Sequence, residues 1–143
     1  TLHLTPLQAG ETIMRDHRNL IAFQLADELA LLVYRETSGF PKEEMFGLTS
    51  QIRRSAVSVA SNIAEGCGRS SDIDFLRFLD IANGSLRELQ YQLSLSHRLG
   101  YLPPGSMLTA DDSILFETGR VLHGLIRSMR ANTVREGILN YEK

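Results

Sequence analysis

From Phe40 to Leu102 the chain carries two long helical patterns, joined by the glycine-punctuated link Gly66-Cys67-Gly68-Arg69-Ser70-Ser71. In the second pattern Leu79, Leu86 and Leu93 recur every seven residues, with Phe75, Ala82 and Leu89 beside them. That spacing draws one apolar stripe along a helix expected from about Asp72 to Leu99. Such a stripe must be buried against other elements, and the segments before and after it also read as helices. The fold class expected is therefore all-α, with four helices in residues 16–131, an N-terminal arm over 1–15 and a C-terminal tail over 132–143.

At 143 residues and 43% hydrophobic, the chain can bury one core without disulfides or metals. No apolar run approaches the roughly 20 residues that span a bilayer, so no membrane association is expected. The N-terminus lacks an apolar signal core, and the single cysteine, Cys67, cannot form an intrachain disulfide. A reducing, cytoplasmic location follows as the expectation. The net charge of −2 argues against a nucleic-acid coat held by overall positive charge. The basic residues are nonetheless 13 Arg against 2 Lys. Arginine is the better fork for phosphate, although codon bias in a GC-rich genome would give the same ratio.

The first helix is expected to start near Asp16 to Asn19 and to end before Gly39, with a core stripe of Ile21, Leu25, Leu29 and Leu32. A second stripe, Leu20, Phe23, Leu31 and Tyr34, lies nearly opposite. Apolar residues almost all round a helix imply burial on two sides, and the second side is assigned to another subunit, with cover by a neighbouring arm of the same chain as the alternative. The long third helix has its own mixed far side, including Ile81, Gly84, Ser85, Glu88 and Leu95. The candidate oligomer interface is thus Leu20, Phe23, Leu31, Tyr34, Ile81, Glu88 and Leu95. Along a further flank Leu76, Asn83, Gln90 and His97 repeat every seven residues, a pattern that fixes register.

Gly39-Phe40-Pro41 reads as a stop and a start, with Gly39 left-handed and Pro41 opening the second helix. Its core stripe is expected to be Met45, Leu48, Ile52, Ala56, Val59 and Ile63. The other face gathers Gln51, Arg54, Ser58, Ser61, Asn62 and Glu65. Small residues there suit a close helix contact, while Gln51, Arg54, Ser58, Asn62 and Glu65 are the candidate lining of a small-ligand groove. Ser71 with Asp74 makes a capping box with a shorter acid. Cys67 has no histidine within 25 residues to activate it and is read as structural.

Gly100-Tyr101 repeats the Gly39-Phe40 device, and Thr109 with Asp112 is expected to cap the fourth helix. Its core stripe is Ile114 or Leu115, Thr118, Leu122, Leu125 and Met129. On another face Arg120, His123, Arg127 and Arg130 form a basic row about 15 Å long. Between Ser113 and Arg135 four arginines meet one acid, Glu117, so this segment is +3 and the remainder −5. The row is the candidate contact for RNA or DNA, through backbone phosphates because no aromatic interleaves it. Its alternative is a solvated or salt-bridged face. From Asn132 onward the tail is expected to fray.

The segments FPKEEMFGLTSQIRRSAVSVASNIAEG, GCGRSS and NGSLRELQYQL…LGYL resemble the bacterial four-helix-bundle family encoded by intervening sequences in 23S ribosomal RNA genes. That family is related to the accessory variability protein of diversity-generating retroelements. The resemblance runs from about Asn19 to Arg130 and implies an antiparallel up-down-up-down bundle in a ring-like homopentamer. It supplies no catalytic motif. The retroelement relatives turn a basic surface towards RNA or a reverse-transcriptase partner, which by analogy makes Arg120, Arg127 and Arg130 candidates. Where the family often has an aromatic between the two glycines, this chain has Cys67.

Enzyme classes that bundles commonly host leave no trace here. There is no Glu-x-x-His unit for a di-iron centre, and His97 has no second histidine at helical spacing. The expectation is a non-enzymatic homo-oligomeric scaffold without cofactor or metal, contacting RNA or DNA and a protein partner. The alternatives are a purely protein-protein assembly and, behind it, a small-ligand-binding protein.

Overall fold

A computed structural model of the chain describes residues 15–141. Among these there are four α-helices and no strand: α1 Ile21–Glu36, α2 Leu48–Cys67, α3 Asp72–Arg98 and α4 Ile114–Tyr141. Single 3-10 turns, His17–Asn19 and Lys42–Glu44, precede α1 and α2. The expected arm lies outside the described residues except for Arg15. None of the described helices is long and apolar enough to cross a membrane.

Each helix packs on two others. α1 lies against α2 and α4, and α3 against α2 and α4, while among the described residues the diagonal pairs do not meet. Ser58 on α2 touches Ser85 on α3, and Asp80 on α3 meets Arg130 on α4. The core runs along the middle of this square, and all six residues of the α3 stripe are buried in it. Helix α3 begins as its sequence dictates: the Ser71 hydroxyl accepts from the Asp74 amide at 3.1 Å. Asp16 caps the turn before α1 in the same way, and its hydrogen bonds from the Arg18 side chain and amide hold the carboxyl down to about 2.

Several expected details are different. In α1 the buried face is Ala22, Ala26, Leu29 and Val33, and Ile21 is exposed. The small alanines turn inward, which lets α1 approach its neighbours closely. Met45 is 54% exposed, outside the core, because α2 starts only at Leu48. Gly47 breaks the chain direction there, and the Glu44 carboxylate accepts from the Leu48 amide at 3.1 Å. Gly39 is not left-handed; among the described residues Gly100 and Gly105 are, with φ of 76° and 73°. Thr37 closes α1, its hydroxyl donating to the Val33 carbonyl and accepting from Arg53. In α4 Ile126 joins Leu115, Thr118, Leu122 and Met129 in the core, with Leu125 partly buried. Thr109 does not cap α4: its hydroxyl donates to Ser106. The helix continues to Tyr141 although its last described core residue is Met129.

The two glycine-aromatic devices meet. The Phe40 and Tyr101 rings lie 5.6 Å apart at one end of the bundle, joining the α1–α2 and α3–α4 connections. Glu36, at the end of α1, ties down the same region by accepting from the Ser106 hydroxyl at 2.7 Å and the Met107 amide at 3.0 Å.

Candidate functional site

Half of the basic row on α4 is already paired. Arg130 reaches Asp80 at 2.5 Å, and Arg120 stands 3.9 Å from Glu117. His123 and Arg127 are exposed, and among the described residues neither makes an ion pair. With Arg120 and Ile126 they line a shallow concavity. Both pairs lie within one chain.

The expected interface residues divide. Leu31 is 54% exposed, Tyr34 46% and Ile81 46%. Tyr34 lies under the Arg53 guanidinium, 4.6 Å from the ring centroid. Leu20 and Phe23 are different: both pack on their own core, and the Phe23 ring meets His17 edge-on at 4.6 Å. A starting turn not foreseen in the sequence supplies that inner cover. Leu95 is half-buried and Glu88 exposed. Near Ile81, Gly84 has open space where a Cβ would be, so nothing within the chain requires glycine at mid-helix. Phe46, 94% exposed on the α1–α2 connection, is an apolar surface residue the sequence reading missed. The signal was the Met-Phe pair set just before Gly47.

A polar groove of about 290 Å³ separates α2 from α3, lined by Gln51, Arg54, Ser55, Ser58, Ser85, Glu88 and Gln92. Three expected groove residues are there. Asn62 adjoins, donating to the Ser58 carbonyl at 2.8 Å and hydroxyl at 3.0 Å, while Glu65 is turned to Arg69 at 2.6 Å. The Gln92 Oε1 is buried without a partner. Arg69 also covers the Phe78 ring.

A second hollow of about 290 Å³ lies between α3 and α4, formed by Leu93, Leu108, Leu115 and Phe116 with Gln90, Ser94, His97 and Thr109 at its edges. This is where the register-fixing flank ends. Asn83 Oδ1 on that flank is buried without a partner, and Gln90 lies against Gly119. Cys67 is buried, and burial pushes its thiol pKa up, so it stands as a packed side chain. Among the described residues no three His, Cys, Asp or Glu side chains gather as metal ligands.

The 23S rRNA-intervening sequence protein family matches residues 18–123, which covers α1 to α3 and the first part of α4. The chain belongs to this family. Among solved structures the family member is similar to a crystal structure described as a protein with unknown function from the S23 ribosomal protein family, from Bacteroides thetaiotaomicron VPI-5482. The two are 24% identical, the match covers 74% of this chain and 98% of that one, and the TM-score is 0.66. At that identity the likeness establishes the shared fold. No curated protein matches the chain.

Proposed function

We propose that this intervening-sequence protein is a non-enzymatic, cytoplasmic scaffold, an up-down-up-down bundle that assembles into a ring-like homopentamer. The observation that carries this reading is apolar surface on two helices at opposite corners. Leu31 and Tyr34 on α1 and Ile81 on α3 are each about half exposed, and among the described residues the α1 and α3 backbones do not come together. Faces pointing in opposite directions suit a head-to-tail contact, which closes into a ring when the rotation permits. Gly84 supports close approach by a neighbour, since a mid-helix glycine costs about 1 kcal/mol relative to alanine and nothing in its own chain fills the space. The expected mass at micromolar concentration, by light scattering, is that of five copies. Leu31→Asp with Tyr34→Asp is expected to give helical monomers. A wild-type monomer defeats the reading, and a variant that unfolds assigns these residues to the chain's own core.

A second reading, contact with RNA or DNA backbone and through it with a protein partner, is favoured by the exposed pair His123 and Arg127 beside Arg120. Binding to labelled structured RNA and duplex DNA is then expected to weaken steeply with salt. Arg127→Glu should lower the salt slope by about 1, as loss of one phosphate contact does. No binding at low salt would sink this reading and leave a protein-only assembly.

A further inference from the structure

The polar groove between α2 and α3 is built in layers. Ser58 meets Ser85, and further along α2 Gly66 lies against Phe75 and Phe78, so a step forward on α2 is a step back on α3. The same register sets Arg54 across from Glu88 and Gln51 across from Gln92, and these side chains line one groove of about 290 Å³. No aliphatic or aromatic side chain lines it. The volume is about twice the ~150 Å³ that holds a six-carbon ring and stands at the low end of ligand pockets, so the groove suits a small molecule held by hydrogen bonds.

Its own hydrogen bonding is left open at two places. Ser58 and Ser85 share a single contact of 2.8 Å between their hydroxyls, and the Asn62 amide already donates to Ser58 at 3.0 Å. Whichever serine donates to the other, the second O–H finds no acceptor among the described residues and remains an open donor. Gln92 supplies the opposite. Its Oε1 is buried with no donor, so it gains from any N–H brought to it.

The charges are divided in the same way. Arg54 and Glu88 are exposed on opposite walls, and among the described residues neither forms an ion pair, with the other or with any third group. A simple anion drawn to Arg54 would face Glu88, and a simple cation drawn to Glu88 would face Arg54. A molecule carrying both charges satisfies both walls. Guanidinium is the better fork for a carboxylate, and a carboxylate with a carbonyl oxygen suits the several N–H donors of a primary ammonium. A quaternary ammonium is the poorer fit, because the groove has no aromatic face to offer it.

We infer that the α2–α3 groove binds a small zwitterion of the amino-acid class, its carboxylate on Arg54 and a serine O–H and its primary ammonium on Glu88 and the Gln92 oxygen. The site lies within a single chain and depends neither on assembly nor on nucleic acid. Saturation-transfer NMR of L-glutamine with the whole chain tests it. Binding is expected with a Kd on the order of 1 mM, the strength that so small a ligand reaches in an open groove. N-acetyl-L-glutamine, which lacks the ammonium, and L-glutaminamide, which lacks the carboxylate, should each bind about 10-fold or more weakly. Arg54→Gln should weaken L-glutamine by a similar factor and remove its advantage over glutaminamide. Glu88→Gln should remove its advantage over the N-acetyl compound. Both side chains are exposed, so both variants should keep the helical signal, and Arg35→Gln, outside the groove, should bind as wild type does. No binding of L-glutamine at ~10 mM overturns the inference. Equal binding of the N-acetyl compound overturns it too, since the groove is then a site for simple anions, and so does binding that both variants leave unchanged.

Discussion

Phe75→Ala is expected to lower the stability of the bundle by about 4 kcal/mol, measured by denaturant unfolding. The ring is 1% exposed, lies against the α2 backbone at Gly66, and carries the Arg15 guanidinium 4.3 Å from its centroid. Truncation removes a buried aromatic and leaves a cavity between two helices whose backbones are already close, so little can collapse into it. Set against a total of about 5–15 kcal/mol for a domain, the loss is a large fraction. A change below about 1.5 kcal/mol would mean that Phe78 and Leu79 refill the space.

Gly66→Val is expected to cost about 3 kcal/mol in the same measurement. A Cβ at this position would lie 2.9 Å from the Phe78 Cβ, 3.1 Å from the Phe75 ring and 3.3 Å from the Phe75 carbonyl oxygen. Two of these three atoms are fixed to the α3 backbone, so no side-chain rotation relieves the clash and α2 must move off α3. A side chain in place of glycine favours the helix by under 1 kcal/mol, too little to compensate. Gly84→Ala is the control, since its Cβ meets nothing in the chain. The costs at Gly66 and Phe75 should add to a first approximation, because removing the ring relieves one of the three contacts and leaves the Phe78 Cβ and the Phe75 carbonyl oxygen in place. A double variant much less destabilised than the sum would place the whole clash on the Phe75 ring.

The fold was largely legible in the sequence, and the reasons are local. Helix α3 declares itself because its stripe, Phe75 to Leu93, is large, regular and bounded by a serine cap. Helix α1 was placed but its inward face was not, since apolar residues nearly surround it and the inward choice, Ala22 and Ala26, is the less hydrophobic one. Only contact with α2 and α4 decides that rotation. Gly66 looked like punctuation, yet it sits inside α2 and serves close packing; a single sequence does not display which aromatic of a later helix will lie over it. The groove was half visible for the same reason: Gln51, Arg54 and Ser58 share one helical face, whereas Ser85 and Gln92 arrive from the facing helix. Arg130 looked free because Asp80, its partner, is 50 residues away in sequence.

The pin between Glu36 and Ser106 bears on how fast the chain can reach this structure. Its partners are 70 residues apart, against 27 for the Ser58–Ser85 contact between α2 and α3. Loop closure scales with the logarithm of length, so the longer closure costs only about 0.8 kcal/mol more than the shorter. The contact between α2 and α3 is therefore expected to form first by a modest margin, and joining α1 to the distant α3–α4 connection adds little to the barrier. Predominantly near-neighbour helix contacts place folding in the microsecond-to-millisecond range. A chain that folds this quickly keeps its apolar outer surfaces in order before it meets another copy.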